Sequence, residues 1–332
     1  MDKEPEELQF LGIVGIYRES YKILSSYKKL FSHITLSLIL PLSFIFLSHI
    51  KISDLIFSDI DHDVDALEST PDNSPSQNRL LHRIASEWLS FLLFKAAYLL
   101  LVLLFALLST SAVVYTIASI YTGKDLTFSK ILAVVPKVWK RLVITFFWTF
   151  VILLCYNTVT GITIFLILVF TGSNAFGITL SILIFAFYFV GFVYISLVWH
   201  LASVVSVLED SYGISAMQKS RDLIRGKVWV SAAVFLQLNL VFIAIHIMFS
   251  VMVVHGMRVG IVGKIGYGVL FLVLLAGFML IGLVVQTVIY LVCKSYHHEN
   301  IDKSILADHL EVYLGEYVPL NGKAVQMESL SV

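Results

Sequence analysis

Four cations crowd into nine residues of the stretch AMQKSRDLIRGKVWV: Lys219, Arg221, Arg225 and Lys227. Ammonium and guanidinium groups at this density grip phosphate and carboxylate oxygens, so an acidic lipid headgroup is one thing they could bind. Setting the orientation of a membrane segment is the other, because cations collect on the cytoplasmic side. The same residue types precede two other apolar runs, as Lys22, Lys28 and Lys29, and as Lys137, Lys140 and Arg141. These ten residues are headgroup or topology anchors, with boundary marking the simpler role. A second set lies inside apolar runs. Lys95, His200 and Gln286 could line an intramembrane polar path, since charge inside a bilayer is costly and marks function by default. Lys95 could instead snorkel to the interface on its four-carbon stem. No Asp or Glu stands inside the expected spans, which removes the carboxylate relay of an ordinary proton-coupled transporter.

Other constellations carry less. The two cysteines, Cys155 and Cys293, sit in or at the end of apolar runs and build neither a disulfide framework nor a zinc set. Asp59, Asp61, Asp63 and Asp65 alternate, with Glu68 just beyond, and calcium wants six to eight oxygens. An EF-hand fails, however, because Val64 stands where its glycine would and Thr70 where its last acid would. A solvated acidic loop is the reading. His297, His298, Glu299 and His309 suggest metal, but neighbours on a helix point about 100° apart, so a polar cap is favoured. No catalytic residue, cofactor or metal is expected.

Composition explains the scarcity. The 332 residues are 58% hydrophobic and 14% charged, with a mean hydropathy of +0.88, whereas a soluble domain carries about 25% charge. From 142 to 208 there is no Asp, Glu, Lys or Arg. As one helix that run would be about 100 Å long, three bilayer cores, so it must fold back at TGSN, 171–174. Spans follow near 31–49, 90–121, 142–170, 176–208, 228–254 and 266–293. The expected fold is all-α and integral to the membrane, with about six transmembrane helices.

With the N-terminus inside, the inner segments hold 17 of the 23 Lys and Arg, so both termini are expected in the cytoplasm. The acidic N-terminus lacks the basic region of a signal peptide. The plasma membrane and the endomembranes fit equally.

The basic stretches suggest a repeat of interfacial helix plus transmembrane hairpin, three times over. Glu19-Ser20-Tyr21-Lys22-Ile23-Leu24 sits against Lys219-Ser220-Arg221-Asp222-Leu223-Ile224. In the latter the apolar side is expected to face lipid, with Lys219 and Lys227 facing water; Gly226 marks the break before the span. The organisation is then 1–30, an N-terminal segment with a basic interfacial helix; 31–121, a first hairpin with an acidic outer loop at 51–88; 122–208 and 209–293, two further interfacial helices with hairpins; and 294–332, a cytoplasmic tail.

The pattern Ala216, Lys219-Ser220, Leu223, Gly226, Trp229 resembles the membrane region of glycerophosphoryl diester phosphodiesterases. Nearly the whole chain, from MDKEPEELQFLGIVG to ADHLEVYLGEYVPL, resembles an uncharacterised plant family of multi-pass transmembrane proteins. The resemblance implies a plant membrane protein; the diesterase's catalytic barrel has no soluble segment long enough to hold it. The expected role is therefore non-enzymatic, organising lipids or protein partners. A transporter or channel is the alternative. Expected partners are membrane lipids, a cytosolic protein at the tail and a second copy of the chain, with no nucleic acid.

Overall fold

A computed structural model describes residues 5–70, 75–122, 128–172, 174–256 and 260–297. Among the described residues there is no strand. A 3₁₀ helix, Pro5–Phe10, leads into α1 (Ile13–Ser26) and α2 (Lys28–Ile34). A π-helical turn, Thr35–Ile39, joins α2 to α3 (Leu40–Glu68). Then come α4 (Pro75–Thr122), α5 (Phe128–Thr171), α6 (Ala175–Leu208) and the short α7 (Ile214–Ile224). Helix α8 (Val228–Phe249) runs on as a π turn, Ser250–Val254, and α9 (Ile261–Tyr296) is last.

Six stretches are long and apolar enough to cross a bilayer: Lys28–Glu68, Ser76–Thr122, Val138–Thr171, Ala175–Leu208, Val228–Val254 and Ile261–Tyr296. Each contains one expected span. The protein is a multi-pass, all-α integral membrane protein. The most apolar stretches of α5 and α6 bury nothing within the protein, so lipid is what removes them from water. Their hairpin closes at TGSN, where Gly172 takes a φ of 63° that glycine adopts without steric cost. Partway along, Tyr156 stacks on Tyr188 at 5.2 Å, and the Tyr188 hydroxyl donates to Asn157 Oδ1 at 2.6 Å. Pro41 sits in the first turn of α3. Its ring would clash with the carbonyl four residues back, and the wider π turn opens that place.

Three expectations need correction. The acidic segment 51–88 is mostly helix, because α3 continues to Glu68 and α4 begins at Pro75. On a helix the alternating aspartates fan out instead of converging. Asp63 is buried and pairs with Arg83 at 2.8 Å, which also meets Glu87 at 3.1 Å. Among the described residues no three His, Cys, Asp or Glu gather as a metal site. Second, the basic stretch before the third span forms no helix of its own: α5 runs unbroken from Phe128, with Pro136 inside it. No glycine stands between 128 and 142 to break it. Third, the apolar side of α7 meets protein, as its packing shows below.

The described chain forms two compact units. One is drawn from the described parts of Met1–Leu11, Val114–Gly226 and Ile289–Val332. Its core lies along the last three turns of α6, where Leu201, Val204, Val205 and Leu208 are buried against α5 and α7. Ala216, Met217, Ser220, Leu223 and Ile224 of α7 are buried there too. The second unit takes in Gly12–Val113 and Lys227–Val288. It is centred on Leu47, Ile245, Phe249, Val254, Phe271 and Leu275. In it α1 buries Ile16, Glu19, Ser20 and Ile23, and Tyr17 donates to Gln237 Oε1 of α8 at 3.4 Å.

Candidate functional site

Glu209 caps the C-terminal end of α6, and its side chain is only 12% exposed. Lys219 of α7 places Nζ 2.6 Å from Oε2. Lys294, in the last turn of α9, places Nζ 2.9 Å from Oε1, and the Tyr290 hydroxyl one turn earlier donates to the same oxygen at 2.5 Å. Next to them Arg141 reaches Asp210 Oδ1 at 2.9 Å and the Glu209 carbonyl at 3.4 Å. The cations belong there for two reasons: two carboxylates follow directly on α6, and the carbonyl end of a helix is itself negative. Burial pushes the Glu209 carboxyl up, but hydrogen bonds from Lys219, Tyr290 and Lys294 outweigh it and hold the group below its ordinary range. A carboxylate held ionised with both oxygens engaged is a clasp, not a general base.

A second clasp lies one turn deeper. The backbone N–H of Gly213, just before α7, donates to Thr145 Oγ1 at 2.7 Å, and Thr145 Oγ1 is 2.8 Å from Ser206 Oγ. Ser220 Oγ donates to the Val198 carbonyl at 2.7 Å. His297 Nε2 lies 3.1 Å from the Leu223 carbonyl and 2.9 Å from that of Arg225; both are acceptors, so Nε2 carries the proton. Helix α7 is thus fastened at its start, middle and end. Thr145→Val is expected to destabilise by about 1–3 kcal/mol, since it orphans the buried Gly213 N–H. Thr145→Ser is expected to stay near wild type. Thermal unfolding of the detergent-solubilised protein checks both.

In the second unit Lys95 forms a triangle. Its Nζ donates to His49 Nε2 at 2.8 Å and to Ser53 Oγ at 2.9 Å, and Ser53 Oγ is 3.2 Å from His49 Nε2. Tyr98 stacks on the His49 ring at 3.6 Å, with Phe94 parallel to it at 5.7 Å, and Lys95 lies 4.9 Å from the centre of Phe91. A serine beside a histidine and a lysine has the parts of an activated nucleophile. It lacks the rest: Ser53 lies inside α3, where backbone N–H groups are consumed by the helix and cannot stabilise an oxyanion.

One family profile matches residues 1–330, that of a domain of unknown function, DUF8558. The chain belongs to this family. No curated protein and no solved structure matches it.

In this family member the anchors expected from sequence divide into groups. Lys22, Lys28, Lys29 and Lys140 are exposed. Arg221 and Arg225 are exposed and each lies 3.6 Å from Asp222, the loose, wet kind of pair that contributes little. Arg141 and Lys219 are drawn inward to Asp210 and Glu209. Lys227 is half-buried at the start of α8, and Lys137 lies in α5. Of the expected polar path, Gln286 is buried in α9, His200 is half-buried on α6, and no hydrogen bond joins Lys95 to Gln286. Tail residues His298, Glu299 and His309 lie outside the described residues. Sequence reasoning missed Glu209, Tyr290, Lys294, Thr145, His49 and Ser53. One signal was available, since Glu209 is the first charge after 67 uncharged residues.

Proposed function

We propose that this protein is a non-enzymatic membrane protein that gathers anionic lipids, and partners held by them, through basic helices on its cytoplasmic face. Both termini lie on that face, in the plasma membrane or an endomembrane, and α1 and α7 serve as interfacial helices. The observation that supports this is a shared burial pattern, 200 residues apart. Ile16, Ser20 and Ile23 of α1 and Ala216, Ser220 and Leu223 of α7 are buried, while Lys22, Arg221 and Arg225 remain exposed. Each helix spends its apolar side on protein, so its cations stand at a fixed height for headgroups. The family likeness to multi-pass plant proteins and to the diesterase membrane region is part of this reading.

The test is lipid enrichment around the intact protein in polymer-excised native discs. Anionic lipid is expected severalfold above its bulk fraction, because each cation near the surface contributes about 1 kcal/mol. Arg221→Glu with Arg225→Glu is expected to bring it down toward bulk. Equal enrichment in wild type and variant would sink the reading. A transporter or channel is the second reading, favoured by the hydrogen-bonded Lys95 triangle inside a spanning segment. Solute or ion flux in proteoliposomes that disappears in Lys95→Ala would promote it.

A further inference from the structure

We propose that the Lys95–His49–Ser53 triangle is a binding site for a phosphate oxyanion carried by a membrane lipid. It involves other helices than α1 and α7 and does not rest on the reading above. An ammonium has three N–H donors, and Lys95 directs two of them at neutral acceptors, His49 Nε2 and Ser53 Oγ. Among the described residues no carboxylate forms an ion pair with Lys95. Asp54, the acid next to Ser53, is occupied by Lys51 at 3.7 Å and His255 at 3.5 Å. His246, edge-on to Phe46, adds a further basic group to that side of α3. Among the described residues the direct partners of Lys95 are therefore neutral, and it stands in a spanning segment, where an uncompensated charge is costly. An anion completes the set.

The geometry fits an oxyanion. Lys95 retains one N–H, and Ser53, having accepted from Lys95, retains its hydroxyl proton because His49 Nε2 already accepts from Lys95. Two donors on adjacent helices then face one ligand. Stacking on Tyr98 fixes the His49 ring that positions the ammonium. The membrane is the source of the phosphate. Leu92, Leu93 and Leu99 beside the triangle are 65%, 63% and 54% exposed, surfaces that acyl chains cover. Lys95 lies seven residues past Trp88, about 10 Å along the helix, so its stem reaches headgroup depth.

Native mass spectrometry of the full chain, with phosphatidylglycerol, diacylglycerol and inorganic phosphate as probes, decides. Wild type is expected to retain one tightly held phosphatidylglycerol, weakened about tenfold in Lys95→Met and kept in Lys95→Arg; Ser53→Ala should weaken it less. Lys95→Met removes the uncompensated charge, so its lipid-free thermal stability should match or exceed wild type while stabilisation by phosphatidylglycerol disappears. The proposal is overturned if Lys95→Met retains the lipid like wild type, or if diacylglycerol binds equally well. Displacement of the lipid by millimolar inorganic phosphate would assign the site to a soluble anion and overturn the lipid source. Repeating the series on the Arg221→Glu, Arg225→Glu protein separates this site from the cations of α7.

Discussion

Glu209→Ala is expected to destabilise the first unit by about 2–4 kcal/mol, slightly under the 3–5 kcal/mol typical of breaking a buried ion pair, because the site is partly wet. The change removes the one carboxylate shared by Lys219, Lys294 and Tyr290. Lys294, only 17% exposed, then loses the carboxylate it pairs with. Glu209→Gln should do nearly as much harm, since it preserves shape and loses charge, whereas replacing the whole set, Glu209→Leu with Lys219→Met and Lys294→Met, should be milder than Glu209→Ala. The linkage to pH has a definite sign. The folded-state carboxyl titrates below its ordinary value, so its contribution is full above the unfolded value of about 4.3 and is lost as pH falls through the folded one. Wild type and Glu209→Gln should therefore differ at pH 7 and converge as the pH falls past the unfolded value and through the folded one. Intrinsic tryptophan fluorescence during heating in detergent measures this. A variant that melts with wild type at pH 7 would show that the clasp holds nothing.

The six crossings were legible because long stretches without charge have one stable home, and turn chemistry at TGSN divides the longest of them. The helical extensions at 51–68 and 75–88 were not. Alternating aspartates look like a loop, and what makes them helix is tertiary: Asp63 has Arg83 of α4 to pair with. Likewise, periodicity in α7 reveals an apolar side without saying whether lipid or protein meets it. Ser220 was the clue, a hydroxyl on the apolar side that no acyl chain could satisfy and that a helix carbonyl does. Lys219 was expected as a headgroup or topology anchor. Its use depends on Glu209 and Lys294, ten and 75 residues away in sequence, and no local pattern reports a partner at that separation. The unbroken α5 shows the reverse case: a basic stretch alike in composition to the others does not become a separate helix without a breaker like Gly226.

Gly226 is where that breaker can be tested by itself. It has a φ of 90°, and a Cβ there would overlap the ring of Tyr296, with Cζ only 2.9 Å away. Gly226→Ala is expected to cost about 2–3 kcal/mol, of which about 1–2 comes from the left-handed backbone and the rest from pushing the ring aside. Moving the ring disturbs its edge-on contact with His297 at 5.4 Å, and His297 closes the end of α7 through the Leu223 and Arg225 carbonyls. A double-mutant cycle divides the two parts. In a Tyr296→Ala background the ring atoms nearest the added methyl are gone, so Gly226→Ala should there cost mainly the backbone part. The full penalty persisting in that background would mean that the junction is set by backbone conformation alone. No penalty in either background would mean that α7 and α8 can meet without a left-handed residue, and that the break between them comes from somewhere other than Gly226.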